Sequence, residues 1–194
     1  MAEPKNKITV LVDIDDTIEN LCEVWIDLLN GKYGTTIKYD DITSWDLPKF
    51  FPTLSREQVF APLHEPELWY SLSPKKGARY YLKKLISEGF DVYLCTTTYY
   101  KNVQWKYEGV IEKYFPFISW DNVIITSNKQ LIHADFLVDD APHNLEGGSY
   151  NKILVSAPHN RSCNAEENGF IRCNTWAEIY GVLKDYQQEQ AVKI

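Results

Sequence analysis

Two pairs of aspartates in this sequence have the spacing of a site for a divalent cation. Asp13 and Asp15 follow one short apolar run, and Asp139 and Asp140 follow another. Clustered carboxylates repel one another unless a proton or a cation compensates their charge. Mg²⁺ prefers such oxygen ligands and keeps coordination positions for a phosphate group. Either pair alone is also typical of a solvated turn, but two pairs that both end apolar runs favour one shared metal site.

The ends of two further apolar runs carry side chains that suit a phosphate group. Thr96 and Thr97 offer hydroxyl and backbone N–H donors, and Lys129 offers a positive charge. Taken singly, threonines at a strand end are often satisfied within a turn, and a lysine in a loop is usually solvated. Beside the aspartates, however, these residues indicate a site for phosphoryl chemistry.

The elements that must position these side chains are short apolar runs rich in β-branched residues. Continuous rather than alternating apolarity predicts strands buried on both faces, as in a parallel sheet. Helical patterns alternate with the runs, so we predict an α/β fold with a Rossmann-like parallel sheet. Ligands of such sheets gather at the carboxyl ends of the strands. The predicted strands cover residues 8–12, 91–95, 123–126, 136–138 and 152–155, and the helical patterns cover 77–88, 103–115 and 175–186.

One region interrupts the alternation of strands and helices. Residues 18–74 begin with a helix-like stretch and continue with several prolines and many aromatic residues, without a strong strand pattern. We predict that 18–74 form a small, mostly helical cap inserted after the first strand. Residues 1–17 and 75–194 would then form the core.

Aromatic residues of the predicted cap are candidates for contact with a substrate. Trp45, Trp69 and Tyr70 all lie in this segment. An aromatic face stacks a nucleobase at about 1–3 kcal/mol per base, which suits a nucleoside monophosphate. Packing within a small core of the cap is the alternative for each of them.

Composition limits the class of partner. The chain of 194 residues has a formal net charge of −7 and no basic run, which disfavours binding to a nucleic-acid polymer. The first residues lack the apolar stretch of a signal peptide, and no apolar span of about 18 residues follows. We expect a cytoplasmic protein that acts on a small phosphomonoester and binds no membrane; a homodimer stays open.

Taken in order, the chemical residues match the four motifs of the haloacid dehalogenase (HAD) superfamily. These motifs are D-x-D-x-T over 13–17, a strand-end threonine at 96, Lys129, and the pair Asp139-Asp140. More closely, the chain resembles the 5′(3′)-deoxyribonucleotidase family over nearly its whole length. The stretches that carry this resemblance are 10–15, 72–74, 77–78, 95–97, 112–115, 134–140, 159–160 and 176–177.

The chain departs from the family pattern at three places. Thr97-Thr98 stand where the family usually has Ser-Pro, and Asp16 stands where it often has Gly. Leu21 occupies a position where the family tends to place a pocket aromatic. These departures leave the chemistry intact but bear on the choice of nucleotide.

The resemblance implies a magnesium-dependent phosphomonoesterase. Asp13 would be the nucleophile that is transiently phosphorylated, and Asp15 would protonate the leaving alcohol and then activate water. The Mg²⁺ ligands would be Asp13, the backbone carbonyl of Asp15, and either Asp139 or Asp140, of which we favour Asp140. The remaining implied contacts to the phosphoryl group and substrate are Thr96, Lys129 and Thr97.

Three alternatives to a deoxynucleoside monophosphatase stay open at this point. The first has the same chemistry but acts on a sugar phosphate, phosphoglycolate or a cofactor phosphate. The second is a binding module without turnover, although retention of both Asp13 and Asp15 argues against it. The third is a dehalogenase, which would leave Asp15 and the Asp139-Asp140 pair without a purpose.

Overall fold

A parallel sheet of six strands dominates the computed structural model, which describes residues 7–192. The strand order is β3-β2-β1-β4-β5-β6, and every neighbouring pair is parallel. The strands are β1 (Thr9–Val12), β2 (Asp91–Thr96), β3 (Val123–Ile125), β4 (Phe136–Asp139), β5 (Asn151–Val155) and β6 (Ile171–Cys173). The predicted α/β parallel sheet is therefore confirmed.

Helices connect the strands, and the longest stretch without a strand lies between β1 and β2. It contains α1 (Leu21–Tyr33), α2 (Arg56–Phe60), α3 (Pro66–Ser71) and α4 (Ala78–Ser87). The later helices are α5 (Val103–Lys106), which continues as a π-helix over Tyr107–Glu112, then α6 (Pro142–Leu145) and α7 (Trp176–Val192). Within residues 7–192, no helix is both long and apolar enough to span a membrane.

The sixth strand was not predicted. β6 has only three residues, and Arg172 in its middle breaks the apolar run. The Arg172 guanidinium donates to the carbonyls of Asn160 and Cys163, at 3.1 and 2.8 Å. These hydrogen bonds satisfy the charged Arg172 side chain at the edge of the sheet. An apolar sequence pattern does not reveal such a strand.

The sheet register brings the two aspartate pairs together. β1 lies between β2 and β4, and Val12 is paired with Val138. The Asp13 backbone N–H donates to the Val138 carbonyl at 2.9 Å. Because both strands end at the same edge, the aspartates at these ends lie side by side.

The helical segment between β1 and β2 has a hydrophobic cluster of its own. Its buried members are Cys22, Ile26, Leu29, Ile42, Leu47, Phe51 and Val59. Helix α3 differs, because Leu68 and Trp69 belong instead to the large cluster that covers one face of the sheet. The two connections to the segment meet at a single antiparallel bridge between Glu19 and Pro74.

Candidate active site

A buried lysine joins the ends of β1 and β4. Lys129 lies in a short 3-10 turn after β3, and its Nζ is 2.5 Å from Asp13 Oδ1 and 2.6 Å from Asp139 Oδ2. All three side chains are almost fully buried. Burial alone would lower the pKa of Lys129, but the two carboxylates outweigh it and raise that pKa. Lys129 is therefore a fixed positive charge beside the predicted nucleophile.

Asp139 accepts more hydrogen bonds than its neighbour Asp140. Asp139 Oδ1 accepts from the Ala141 backbone N–H at 2.8 Å, and both Asp139 oxygens accept from the Asn144 amide at 3.1 Å. Asp140 Oδ1 accepts from the Thr17 hydroxyl at 3.2 Å. Asp140 Oδ2 lies 2.8 Å from His159 Nε2 and has no hydrogen-bond donor among the described residues. Asp140 thus keeps a buried oxygen whose bonding is incomplete among the described residues.

The carboxylates at this edge have the chemistry of a site for a hard cation. Asp13, Asp139 and Asp140 each offer an oxygen, and these atoms lie within 4.8 Å of one another. Burial raises the pKa of Asp13 well above its usual range, and Lys129 opposes this only in part. One lysine does not balance three buried carboxylates, so the residues present fit Mg²⁺.

A second buried lysine, which the sequence analysis missed, holds the predicted acid. Lys106, the last residue of α5, is 2% exposed. Its Nζ lies 2.7 Å from Asp15 Oδ2 and 2.9 Å from the Thr96 hydroxyl. The sequence contains one indication that Lys106 is buried: its helical spacing places it on the same apolar face as Val103 and Val110.

The π-helix after α5 is closely packed against α3. A Cβ on Gly109 would lie 2.5 Å from the Trp69 carbonyl oxygen, so only glycine fits there without a shift. π-Helical turns often occur at functional sites. Here the π-turn follows directly on Lys106 and lets the helix pass α3 while that lysine faces the site.

The turn after the nucleophile explains one departure from the family pattern. Asp16 has φ of 54°, the left-handed region that glycine adopts most easily. Its buried carboxylate accepts from the Cys22 backbone N–H at 3.1 Å and lies 3.7 Å from Lys75 Nζ. Burial raises the pKa of Asp16 to about 7, against the opposing effect of Lys75. Aspartate thus takes the place of glycine and caps the first turn of α1.

A cavity of about 220 Å³ opens beside these carboxylates. On the sheet side it is lined by Asp13, Asp15, Thr97 and Asp140. The opposite wall comes from the helical segment and is mostly apolar: Leu21, Cys22, Trp25, Ile42, Trp45 and Leu47. The predicted catalytic carboxylates therefore face a small site with one charged and one apolar wall.

Of the three aromatic residues predicted to contact the substrate, one lines the cavity and two lie elsewhere. Trp45 lines the cavity, with its ring centroid 4.3 Å from that of His159. Trp69 does not line it, because its ring is buried in the sheet cluster and its Nε1 donates to the Leu63 carbonyl. Tyr70 lies on the surface and donates to Glu108. Trp69 and Tyr70 therefore do not line this cavity, because α3 packs on the sheet, and their contact with a substrate stays a prediction.

The fold is that of the HAD superfamily. A HAD family hydrolase from Deinococcus radiodurans with bound phosphate and sodium aligns with a TM-score of 0.62 at 14% identity, over 92% of this chain and 96% of that chain. A HAD-type protein from Bacillus subtilis bound to magnesium aligns with a TM-score of 0.57 at 16% identity, over 92% and 99%. At these identities the likeness concerns the fold alone.

Sequence similarity identifies the family within this superfamily. Residues 6–188 match the model of the family described as 5′ nucleotidase, deoxy (Pyrimidine), cytosolic type C protein. A 5′(3′)-deoxyribonucleotidase from Clostridium acetobutylicum is 36% identical over 184 residues, which are 93% of this chain and 99% of that protein. The chain belongs to this family of nucleotidases, as the resemblance of its motifs predicted.

Proposed function

We propose that this nucleotidase hydrolyses deoxynucleoside monophosphates with Mg²⁺, through a phosphorylated Asp13. The observation that carries the proposal is the arrangement of two buried lysines around one D-x-D motif. Lys129 contacts Asp13 and Lys106 contacts Asp15, at 2.5 and 2.7 Å. The two carboxylates are thereby held in different environments, as different roles require. The substrate class is supported by the name of the Clostridium relative.

The proposed metal ligands are Asp13, Asp140 and the backbone carbonyl of Asp15. Asp140 is preferred to Asp139 because the Asp139 oxygens already accept from Lys129, Ala141 and Asn144. When bound, Mg²⁺ would neutralise negative charge on the nucleophile and on the phosphoryl oxygens. The magnesium bound by the B. subtilis HAD-type protein supports this choice of cation.

The proposed reaction proceeds in two steps. An Asp13 oxygen attacks phosphorus and forms the aspartyl–phosphate bond while the bond to the ester oxygen breaks, and Asp15 gives that oxygen its proton. Asp15 then takes a proton from water, which attacks phosphorus, releases inorganic phosphate and restores the Asp13 carboxylate. Each step needs both carboxylates at fixed positions, which the contacts with Lys129 and Lys106 provide.

Transition-state charge on the phosphoryl group needs donors aimed at its oxygens. Thr96 follows the strand-end pattern of β2, and its hydroxyl is already oriented by Lys106 at 2.9 Å. Thr97 lines the cavity, while its hydroxyl donates to the Thr126 carbonyl at 2.9 Å. We assign Thr96, Lys106 and Lys129 to charge stabilisation and Thr97 to substrate contact.

Selection of the nucleoside is assigned to the segment 18–74, which we treat as a cap on a core of 1–17 and 75–194. Its separate hydrophobic cluster supports this division. Trp45 is 48% exposed and lines the cavity, and an exposed aromatic face suits a nucleobase. The words "cytosolic type" in the family description support action in the cytoplasm.

The test is phosphate release from a panel of phosphomonoesters, with Mg²⁺ and with a chelator. The panel contains dUMP, dTMP, UMP, a 3′-deoxynucleotide, phosphoglycolate, a sugar phosphate and p-nitrophenyl phosphate. We expect metal-dependent release that favours deoxynucleotides and is lost in Asp13→Asn. Asp27→Asn, which changes an exposed aspartate of α1, is the matched control.

Each other outcome rejects a defined part of the proposal. Release from phosphoglycolate or the sugar phosphate alone would reject the nucleotide substrate and keep the chemistry. Equal release with chelator would reject the metal. No release from any ester would leave a binding module without turnover.

A further inference from the structure

Asn160 is a buried polar side chain, close to the carboxyl end of β5, to which the proposed reaction gives no role. It is 2% exposed and belongs to the short 3-10 turn that follows β5. An asparagine amide offers two N–H donors and an oxygen with two lone pairs. The Asn160 amide uses both donors and accepts two hydrogen bonds, so its whole bonding capacity is spent within the protein.

The two donors of Asn160 join the ends of neighbouring strands. Nδ2 donates to the backbone carbonyls of Asp140 and Val155, each at 2.7 Å. Val155 is the last residue of β5, and Asp140 directly follows β4. Because β4 and β5 are adjacent in the sheet, the amide connects their carboxyl ends. The backbone of the proposed metal ligand Asp140 is therefore tied to the end of β5.

The peptide group that follows Asp140 is held at both of its ends. Its carbonyl accepts from Asn160, and its N–H, which belongs to Ala141, donates to Asp139 Oδ1 at 2.8 Å. A peptide group is planar, so bonds to its carbonyl and to its N–H together fix its orientation. The Cα of Asp140 lies in this plane, and the side chain starts from that atom. Loss of Asn160 would remove one of the two bonds that fix the origin of the Asp140 carboxylate.

Arg172, in the middle of β6, holds Asn160 in turn. Its Nη1 donates to Asn160 Oδ1 at 2.9 Å, and its Nη2 donates to the Asn160 backbone carbonyl at 3.1 Å. The Ala157 N–H donates to the same Oδ1 at 3.2 Å. A flipped amide would turn its NH₂ group towards these donors, so the partners determine the orientation of the side chain. Hydrogen bonds from a charged donor are stronger than those from a neutral one.

A similar bond joins the same two strands at their other end, away from the carboxylates. Asn151, the first residue of β5, donates from its Nδ2 to the carbonyl of Asp135 at 3.0 Å, directly before β4. Asn151 is exposed and lies at the amino end of the strand pair. Both asparagines connect β4 with β5, but Asn160 does so at the backbone of the proposed metal ligand.

We propose that Asn160 is a positioning residue for the metal site, which holds the peptide group after Asp140, and that Arg172 supports it. This role rests on the proposed function, because it requires Asp140 as a ligand of Mg²⁺. Neither side chain lines the cavity beside the carboxylates, so the proposal assigns them no contact with substrate. Removal of a residue that orients a metal ligand typically weakens metal binding by about 10–100-fold.

The test measures the Kd for Mg²⁺ by isothermal titration calorimetry, without substrate. For Asn160→Ala we expect the Kd to rise about tenfold or more. Arg172→Met should give a smaller rise, because Asn160 keeps its other bonds. The double variant should bind Mg²⁺ as Asn160→Ala does, because Arg172 acts through Asn160 and the two effects do not add. Asn151→Ala, which removes the bond at the other end of the strand pair, is the matched control and should keep the Kd of the parent.

The outcomes separate this role from a purely structural one and from the proposed function. A folded Asn160→Ala with the parental Kd would overturn the role, since Asn160 would then only stabilise the turn after β5. An equal rise in Asn151→Ala would also overturn it. Should Asn160→Ala not fold, Arg172→Met decides, and a parental Kd in that variant overturns the role. A further rise in the double variant would overturn the support by Arg172. A parent that binds no Mg²⁺ would overturn the metal site of the proposed function itself, and the role of Asn160 with it.

Discussion

The two walls of the cavity are built on different principles. At the strand ends, buried charges fix one another: Lys129 contacts Asp13 and Asp139, and Lys106 contacts Asp15. The opposite wall, from 18–74, is formed mainly by apolar side chains with a cluster of their own. We infer that the strand ends determine the rate of the chemical step, whereas the helical segment determines which substrate binds.

The largest effect on the charged wall should come from Lys129→Met. It leaves Asp13 and Asp139 buried without their cation, so kcat/KM should fall by about 10²–10³-fold. Breaking a buried ion pair from one side also costs about 3–5 kcal/mol of stability. Steady-state kinetics and denaturant unfolding measure the two effects, with Lys83→Met on the exposed side of α4 as control. Activity within threefold of the parent would contradict the assignment of Lys129.

Lys106→Met should have the next largest effect. It removes the donor to Asp15 Oδ2 and to Thr96, so we expect kcat to fall by about 10²-fold with little change in KM. Lys113→Met, an exposed lysine after the same π-helix, should behave like the parent. A change in KM alone would assign Lys106 to substrate binding. It would contradict the inference that the residues at the strand ends determine the rate of the chemical step.

Removal of the metal tests which aspartate completes the charged wall. Mg²⁺ at about 100 times its Kd should raise the free energy of unfolding by about 2.7 kcal/mol. Asp140→Asn should abolish this increase, and Asp139→Asn should keep most of it. Denaturant unfolding of each variant with and without Mg²⁺ measures this increase and needs no substrate. The reverse pattern would assign the ligand to Asp139.

The smallest effect is expected on the apolar wall, from Trp45→Ala. Loss of one stacking face costs about 1–3 kcal/mol of binding, so KM for dUMP should rise by about tenfold while kcat changes little. Trp120→Ala is the matched control, since Trp120 is also half exposed but lies outside the cavity. A fall in kcat instead of a rise in KM would show that Trp45 acts on the chemistry.

Much of the sheet could be predicted because buried parallel strands appear in the sequence as continuous apolar runs. Five of the six strands were predicted to within one residue at each end. The positions of Asp13 and Asp139 then follow, since residues at the carboxyl ends of neighbouring parallel strands meet at one edge of the sheet. β6 could not be predicted in this way, because its middle residue is an arginine whose partners lie in a loop.

The side chains that support the site were harder to predict. Lys106 lies in a helical stretch, where a charged residue usually faces solvent. Its burial depends on a tertiary contact, the packing of the following π-helix on α3. The packing of Trp69 in the sheet cluster could not be predicted either, because the sequence does not tell which face of α3 meets the sheet.

In the proposed mechanism Asp13 carries the phosphoryl group during turnover. The most direct measurement is a rapid acid quench of the parent with dUMP labelled in its phosphate, followed by identification of the labelled residue. We predict label on Asp13 that appears and disappears within one turnover, and none in Asp13→Asn. Phosphate release without any labelled protein, or label at another residue, would contradict the covalent mechanism.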